Sequence, residues 1–175
     1  MGVPVEGRIT AGGITTVVTV QITRAANATA YTANDVVGTL AVAAPLVLRN
    51  CARIEGGTGI IYSALMLDSV DAATNPNFDL ALFDTSSLTV AADNAAGTIT
   101  DTELLSCVAV ITFDGTNAAN VSTVGPNLII GATALGQAFK CADGTRDLWG
   151  VVVDRGGYTP ASGEVFTFKL AILQD

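Results

Sequence analysis

The chain has 175 residues, half of them apolar and only 14% charged, with a net charge of -8 and no histidine. That is the length of one domain, able to bury about 70% of its unfolded surface without staples. The missing histidine excludes a Ser-His-Asp triad, a Cys-His pair and histidine metal ligands, and the absence of any Lys or Arg run disfavours direct nucleic-acid binding.

A charge fraction this low, against roughly a quarter in typical soluble domains, points to surface that partners cover. The three cysteines, Cys51, Cys107 and Cys141, show no C-x-x-C spacing. They read as buried free thiols rather than a zinc site or a disulfide framework. Met1 to Glu6 lacks the features of a signal peptide. The longest apolar run, Leu40 to Leu48, is too short to span a bilayer and contains Pro45. No membrane partner is expected.

In chain order, residues 1–13 are rich in Gly and Val and read as an extended arm lying on a neighbour or as a frayed terminus. Val18, Val20 and Ile22 then alternate with Thr19, Gln21 and Thr23, the period of a half-buried strand. A polar loop follows. Its Tyr31 is expected to bury its ring with the hydroxyl bonded. Asn34-Asp35 signals a turn before Val36-Val37 re-enters β-structure.

Thr39–Val42 and Leu46–Leu48 read as strand pieces around Pro45, and Gly56-Gly57-Thr58-Gly59 as a glycine turn. Ile60–Val70 reads as a strand buried on both sides, with Ile61, Leu65 and Leu67 on one face and Tyr62, Ala64 and Met66 on the other. Phe78–Phe83 alternates with Phe78, Leu80 and Leu82 inward. Thr100 with Glu103 three later predicts a capped helical turn. Strands are expected at Val108–Phe113, Leu128–Ile130 and Leu135–Phe139, with a polar loop from Asn117 to Pro126.

Arg146–Asp154 and the final strand read as a hairpin, with Phe166, Phe168, Leu170 and Ile172 on one face and Trp149 as a packing residue. No helix-length amphipathic segment is present. Short strands at regular turn spacing predict an all-β, antiparallel sandwich of jelly-roll type over 14–175, preceded by the 1–13 arm.

Several residue groups raise chemistry. Asp68, Asp71, Asp79, Asp84 and Asp93 could supply a carboxylate pair, but several stand in turns where Asp is expected anyway. Asp71, Asn75, Asn77 and Asp79 offer clustered oxygens for calcium in no EF-hand spacing, so a plain turn is the preferred reading. No enzyme activity, cofactor or metal is expected.

The loop around Tyr31 carries a resemblance. Thr23, Arg24, Ala26, Asn27, Thr29, Ala30, Tyr31, Asp35, Val36 and Val37 match the pattern T-R-P-A-N-T-T-A-Y-A-x-G-D-V-V, with Ala25 in place of Pro and Asn34 in place of Gly. Further blocks follow in order: Gly56 to Ile61, Phe78 to Phe83, Ala92-Asp93-Asn94, Ala142 to Gly150, and Tyr158 to Gly163. Together they resemble a family of small tailed-phage virion structural proteins, most like capsid decoration (cement, head auxiliary) proteins.

The resemblance implies a protein made in the bacterial host cytoplasm and placed on the outer capsid surface. Its partners would be the major capsid protein and itself, as a homotrimer or a dimer. The implied contact residues are Met1, Gly2, Val3, Pro4, Val5 and Glu6, and the motif loop is marked by Arg24, Asn27, Tyr31 and Asp35. The alternative is a carbohydrate-binding or tail-fibre module, which would expose aromatics for sugar stacking. Only one Trp, three Tyr and six Phe occur, and Trp149, Phe166 and Phe168 look buried by pattern.

Overall fold

The computed structural model describes residues 13–38, 43–70, 74–120 and 128–175. The strands in chain order are β1 (Ile14–Thr23), β2 (Val36–Val37), β3 (Leu46–Leu48), β4 (Thr58–Asp68), β5 (Phe78–Phe83), β6 (Cys107–Phe113), β7 (Ala119–Asn120), β8 (Leu128–Lys140), β9 (Leu148–Asp154) and β10 (Val165–Gln174). They build two five-stranded antiparallel sheets packed as a sandwich. The first runs β1-β10-β4-β8-β7; the second runs β2-β9-β5-β6, with β3 also pairing β9. The expected all-β antiparallel sandwich is the fold.

Alternating residues of both sheets make the core. Val18 and Ile22 from β1, Met66 from β4, Leu80 and Leu82 from β5, Ile111 from β6 and Phe166 to Ile172 from β10 are buried there. Aromatic rings join the two layers, the Phe78 pairs edge to face and the Phe113–Phe168 pair tilted. Phe78 lies 4.9 Å from Phe166 and 5.9 Å from Tyr158, and Phe113 lies 5.5 Å from Phe168. The short helix α1 (Asp101–Leu104) has the expected capping box: Glu103 N–H donates to the Thr100 hydroxyl at 3.3 Å, and Thr100 N–H donates to the Glu103 carboxylate at 2.7 Å.

Three expectations are corrected. β9 and β10 are not a hairpin, because β9 pairs in the second sheet and β10 in the first. The connection between them crosses from one layer to the other. Leu128 to Lys140 is one strand rather than two pieces around Gly131. β4 carries a bulge between Ile61 and Ser63, which shifts its register. Its inward residues are therefore Ile61, Ala64 and Met66, while Ile60, Tyr62 and Leu65 are exposed on the other side. β4 is buried on one face only.

The arm at 1–13, apart from Gly13, lies outside the described residues, and so do Met1, Gly2, Val3, Pro4, Val5 and Glu6, the strand piece Thr39–Val42 and Asp71.

Candidate functional site: a sheet face and the lock beneath it

β1 ends at Thr23, and the next residue, Arg24, turns its side chain fully inside. A buried guanidinium needs an anion, and Asp93 supplies it with an Nη2 to Oδ2 distance of 2.8 Å. The guanidinium also sits 4.4 Å from the centre of the Tyr31 ring, a cation-π arrangement. The Tyr31 hydroxyl donates to Asp93 Oδ1 at 2.7 Å, and Gly38 N–H donates to the same oxygen at 3.0 Å. Burial, and then the bond to Asp93, raises the Tyr31 phenol well above its usual range. Tyr31 is the loop anchor that the sequence predicted.

The remaining motif residues serve the loop itself. Asn27 is exposed and accepts from Thr29 N–H at 3.1 Å, an Asx turn. The Asp35 carboxylate accepts from Thr32 N–H at 2.7 Å, reaching back rather than forward along the chain. Asn34 takes the left-handed conformation, φ 75°, that its turn requires.

Two other blocks of the resemblance, those of Asp93 and of Tyr158, meet this loop. Tyr31 N–H donates to Tyr158 O at 2.8 Å, and Arg24 N–H donates to Glu164 O at 2.9 Å. The Tyr158 hydroxyl donates to Glu164 Oε1 at 2.6 Å, and burial followed by that bond raises the Tyr158 phenol as well. At the opposite part of the chain, Gly56 N–H donates to Thr145 O at 2.8 Å, so the glycine turn meets the Ala142–Gly150 block. These blocks fix the framework. Arg24 and Tyr31 are buried and present no surface to a partner.

The exposed outer faces of the two sheets differ sharply. The second sheet's outer face is largely covered by its own chain: Val36, Phe83 and Val151 pack under Leu88, Val90, Ala91 and Ile99, and Val110 on the edge strand β6 stays 58% exposed. The first sheet's outer face has no such cover among the described residues. Across it, Thr15 pairs with Leu173 and Leu173 with Ile60, Val17 with Ala171 and Ala171 with Ser63, Thr19 with Lys169 and Lys169 with Leu65, and Thr167 with Leu67. Val17 is 59% exposed, Leu65 41% and Tyr62 42%. Lys169 is the single charge in these rows. At its end the face deepens into an open groove of about 540 Å³, walled by Ile60, Val108, Phe139 and Leu173 together with the charged Lys140 and Asp175. Gly59 sits in the groove wall, where an added Cβ would come within 2.7 Å of the Phe139 ring.

Among the described residues the candidate carboxylates are not brought together as a pair. Asp93 holds Arg24, Asp68 is buried, and Asp79 pairs with Arg155 at 3.1 Å and accepts from Thr112 at 2.6 Å. Among the described residues no group of three or more His, Cys, Asp or Glu side chains is placed to hold a metal. Of the suggested calcium set, Asp71 lies outside the described residues, Asn75 donates its Nδ2 to Gly115 O at 2.9 Å, and Asn77 Oδ1 accepts from Gly115 N–H at 2.8 Å.

Cys51 and Cys141 are buried free thiols, as expected, and Cys107 is free and half-buried. Burial pushes Cys51 up to about 12 and Cys141 up to about 11. Phe166 and Phe168 are buried as expected, but Trp149 is only half-buried and sits on the outer side of β9. Tyr62 lies on the outer face of the other sheet. The two partly exposed rings are therefore on opposite sides of the sandwich.

No family model matches this chain, and no curated protein matches it.

Proposed function

We propose that this is a non-enzymatic structural protein of a tailed-phage virion, a decoration protein that binds the outer surface of the head and stabilises contacts between major capsid proteins. One observation carries the reading beyond the resemblance. The outer face of the first sheet offers exposed Val17, Ile60, Tyr62, Leu65 and Leu173, with Lys169 among them and Lys140 and Asp175 at the groove end, on a chain of net charge -8. Such a face is stable in water only at a cost and fits a partner that covers it.

A cement protein acts by burying surface across subunit joints, and this requires a rigid body with no reacting group. The interlocked sheets and the Arg24–Asp93 lock supply that rigidity. Many copies on one lattice make modest single contacts add up. Met1 to Glu6 remain proposed capsid contacts, and self-association as a trimer or dimer belongs to the same reading. The carbohydrate-binding alternative is weaker, because Tyr62 and Trp149 cannot stack against one sugar from opposite faces.

Cosedimentation with capsids that lack the protein tests this reading. Leu65→Glu places a carboxylate on the outer face beside Lys169 without entering the core. It should weaken capsid binding about tenfold or more if Leu65 is central to the contact. Undiminished binding by the folded variant would remove this face from the account.

A further inference from the structure

A sheet edge exposes unpaired backbone groups, and proteins blunt such edges with short strands, bulges, charges or Pro. Two edges here are blunted by length, since β7 and β2 have two residues each, and a third, the seven-residue β6, by the register irregularity in its pairing with β5 at Leu82/Phe83. β1 is different. It runs ten residues in unbroken register with β10, from Ile14 opposite Gln174 to Thr23 opposite Val165. Among the described residues, no strand pairs with its other side. Its sequence, Ile-Thr-Thr-Val-Val-Thr-Val-Gln-Ile-Thr, has no charge, no Pro and no Gly. In an antiparallel strand about half of the N–H and C=O groups point away from the existing partner.

We propose that β1 pairs antiparallel with β1 of a second copy about a two-fold axis, joining two five-stranded sheets into one of ten strands. The alternation of β1 limits the register. Val18, Val20 and Ile22 face the core side, and directly opposed residues in an antiparallel pair share a face. Full overlap of all ten residues would set Thr15 against Ile22 and mix the faces. Shifting by one restores them, so that either Val18 or Thr19 faces its own symmetry mate. The core-side rows of both copies then run on without a break.

Size and charge both fit a second copy. A nine-residue overlap is about 30 Å long. With two sheets stacked about 10 Å apart and their side chains, it covers about 600 Å² per copy, or about 1,200 Å² in total, the lower bound for a specific interface. Two chains of charge -8 repel, and this uncharged strand is where they approach with least opposition. Beside it, an opening of about 430 Å³ towards β3 is lined by Val17, Val47 and Asn50, and its one charge is the cation Arg49. The pairing favours the dimer over the trimer and does not depend on the capsid reading.

Sedimentation equilibrium of the full chain at micromolar concentrations tests it. The wild-type protein should be a dimer. Thr19→Lys, at an exposed position near the proposed axis, brings two like charges together and should raise the dimer dissociation constant at least about tenfold. Its circular dichroism should be unchanged; the new ammonium also stands opposite Lys169 of its own chain, a like-charge pair that lowers the melting temperature slightly at any protein concentration. Leu65→Glu should leave the dimer intact. A monomer at tens of micromolar, a trimer, or a dimer indifferent to Thr19→Lys would each overturn the proposal. Loss of capsid binding by a variant that still dimerises separates the two readings.

Discussion

Arg24 and Asp93 stand 69 residues apart in the chain and 2.8 Å apart in space, with the Arg24 side chain fully buried. The pair ties the end of β1 to the loop that follows the second sheet's outer cover, and Tyr31 and Gly38 are bonded to the same carboxylate. Removing one partner leaves the other charge buried and uncompensated. Arg24→Ala and Asp93→Ala should each destabilise the fold by about 3–5 kcal/mol, read as a lower urea midpoint. A loss within a few tenths of a kcal/mol would show that the pair is not structural.

Tyr31→Phe keeps the ring under the guanidinium and removes only the hydroxyl. The lost bond is to a charged acceptor, so the expected cost is about 1.5–3 kcal/mol. A double-mutant cycle with Asp93→Asn checks it: the two effects should be strongly non-additive.

Alkali should act through the two buried phenols. Folding raises Tyr31 and Tyr158 above the ordinary phenol value of about 10, first through burial and then through the bonds to Asp93 and Glu164. Their contribution is fully present below that value and declines as pH rises above it, because the unfolded chain ionises first. Stability should therefore fall above about pH 10, the unfolded phenol range. Tyr31→Phe/Tyr158→Phe should flatten the slope. An equal slope in that variant would assign alkaline unfolding to other groups.

The cysteines should differ in reactivity. Cys51 and Cys141 are buried and raised to about 12 and about 11, so little thiolate forms in mildly alkaline buffer. Cys107 is half-buried and raised, chiefly by burial, without the neighbouring charges that act on the other two. Brief alkylation of the folded protein followed by peptide mass spectrometry should mark Cys107 first. Equal labelling of all three would mean that the core opens on the labelling timescale.

Chelators should leave the melting temperature unchanged. Asp79 is held by Arg155, and the Asn75 and Asn77 amides are held by Gly115. A clear drop with EDTA would restore a calcium role.

How much of this was legible in the sequence depends on whether the signal was local. Phe78–Phe83 and the Phe166–Ile172 face were readable because period-two alternation is a property of a few adjacent residues. The capped turn at Thr100 was readable for the same reason. The β4 faces were misread because the bulge at Ile61/Ser63 inserts one residue, and alternation beyond it changes sign. β9 and β10 were misjoined because proximity in sequence says nothing about which layer each strand enters. The Arg24–Asp93 contact left no local signal. Only the co-occurrence of the two blocks in the resemblance could have paired them.

Copy number in purified phage virions tests the proposed role as a shell component most directly. Quantitative mass spectrometry against the major capsid protein should give a one-to-one ratio or another simple lattice fraction. A handful of copies per particle, or none, would contradict it.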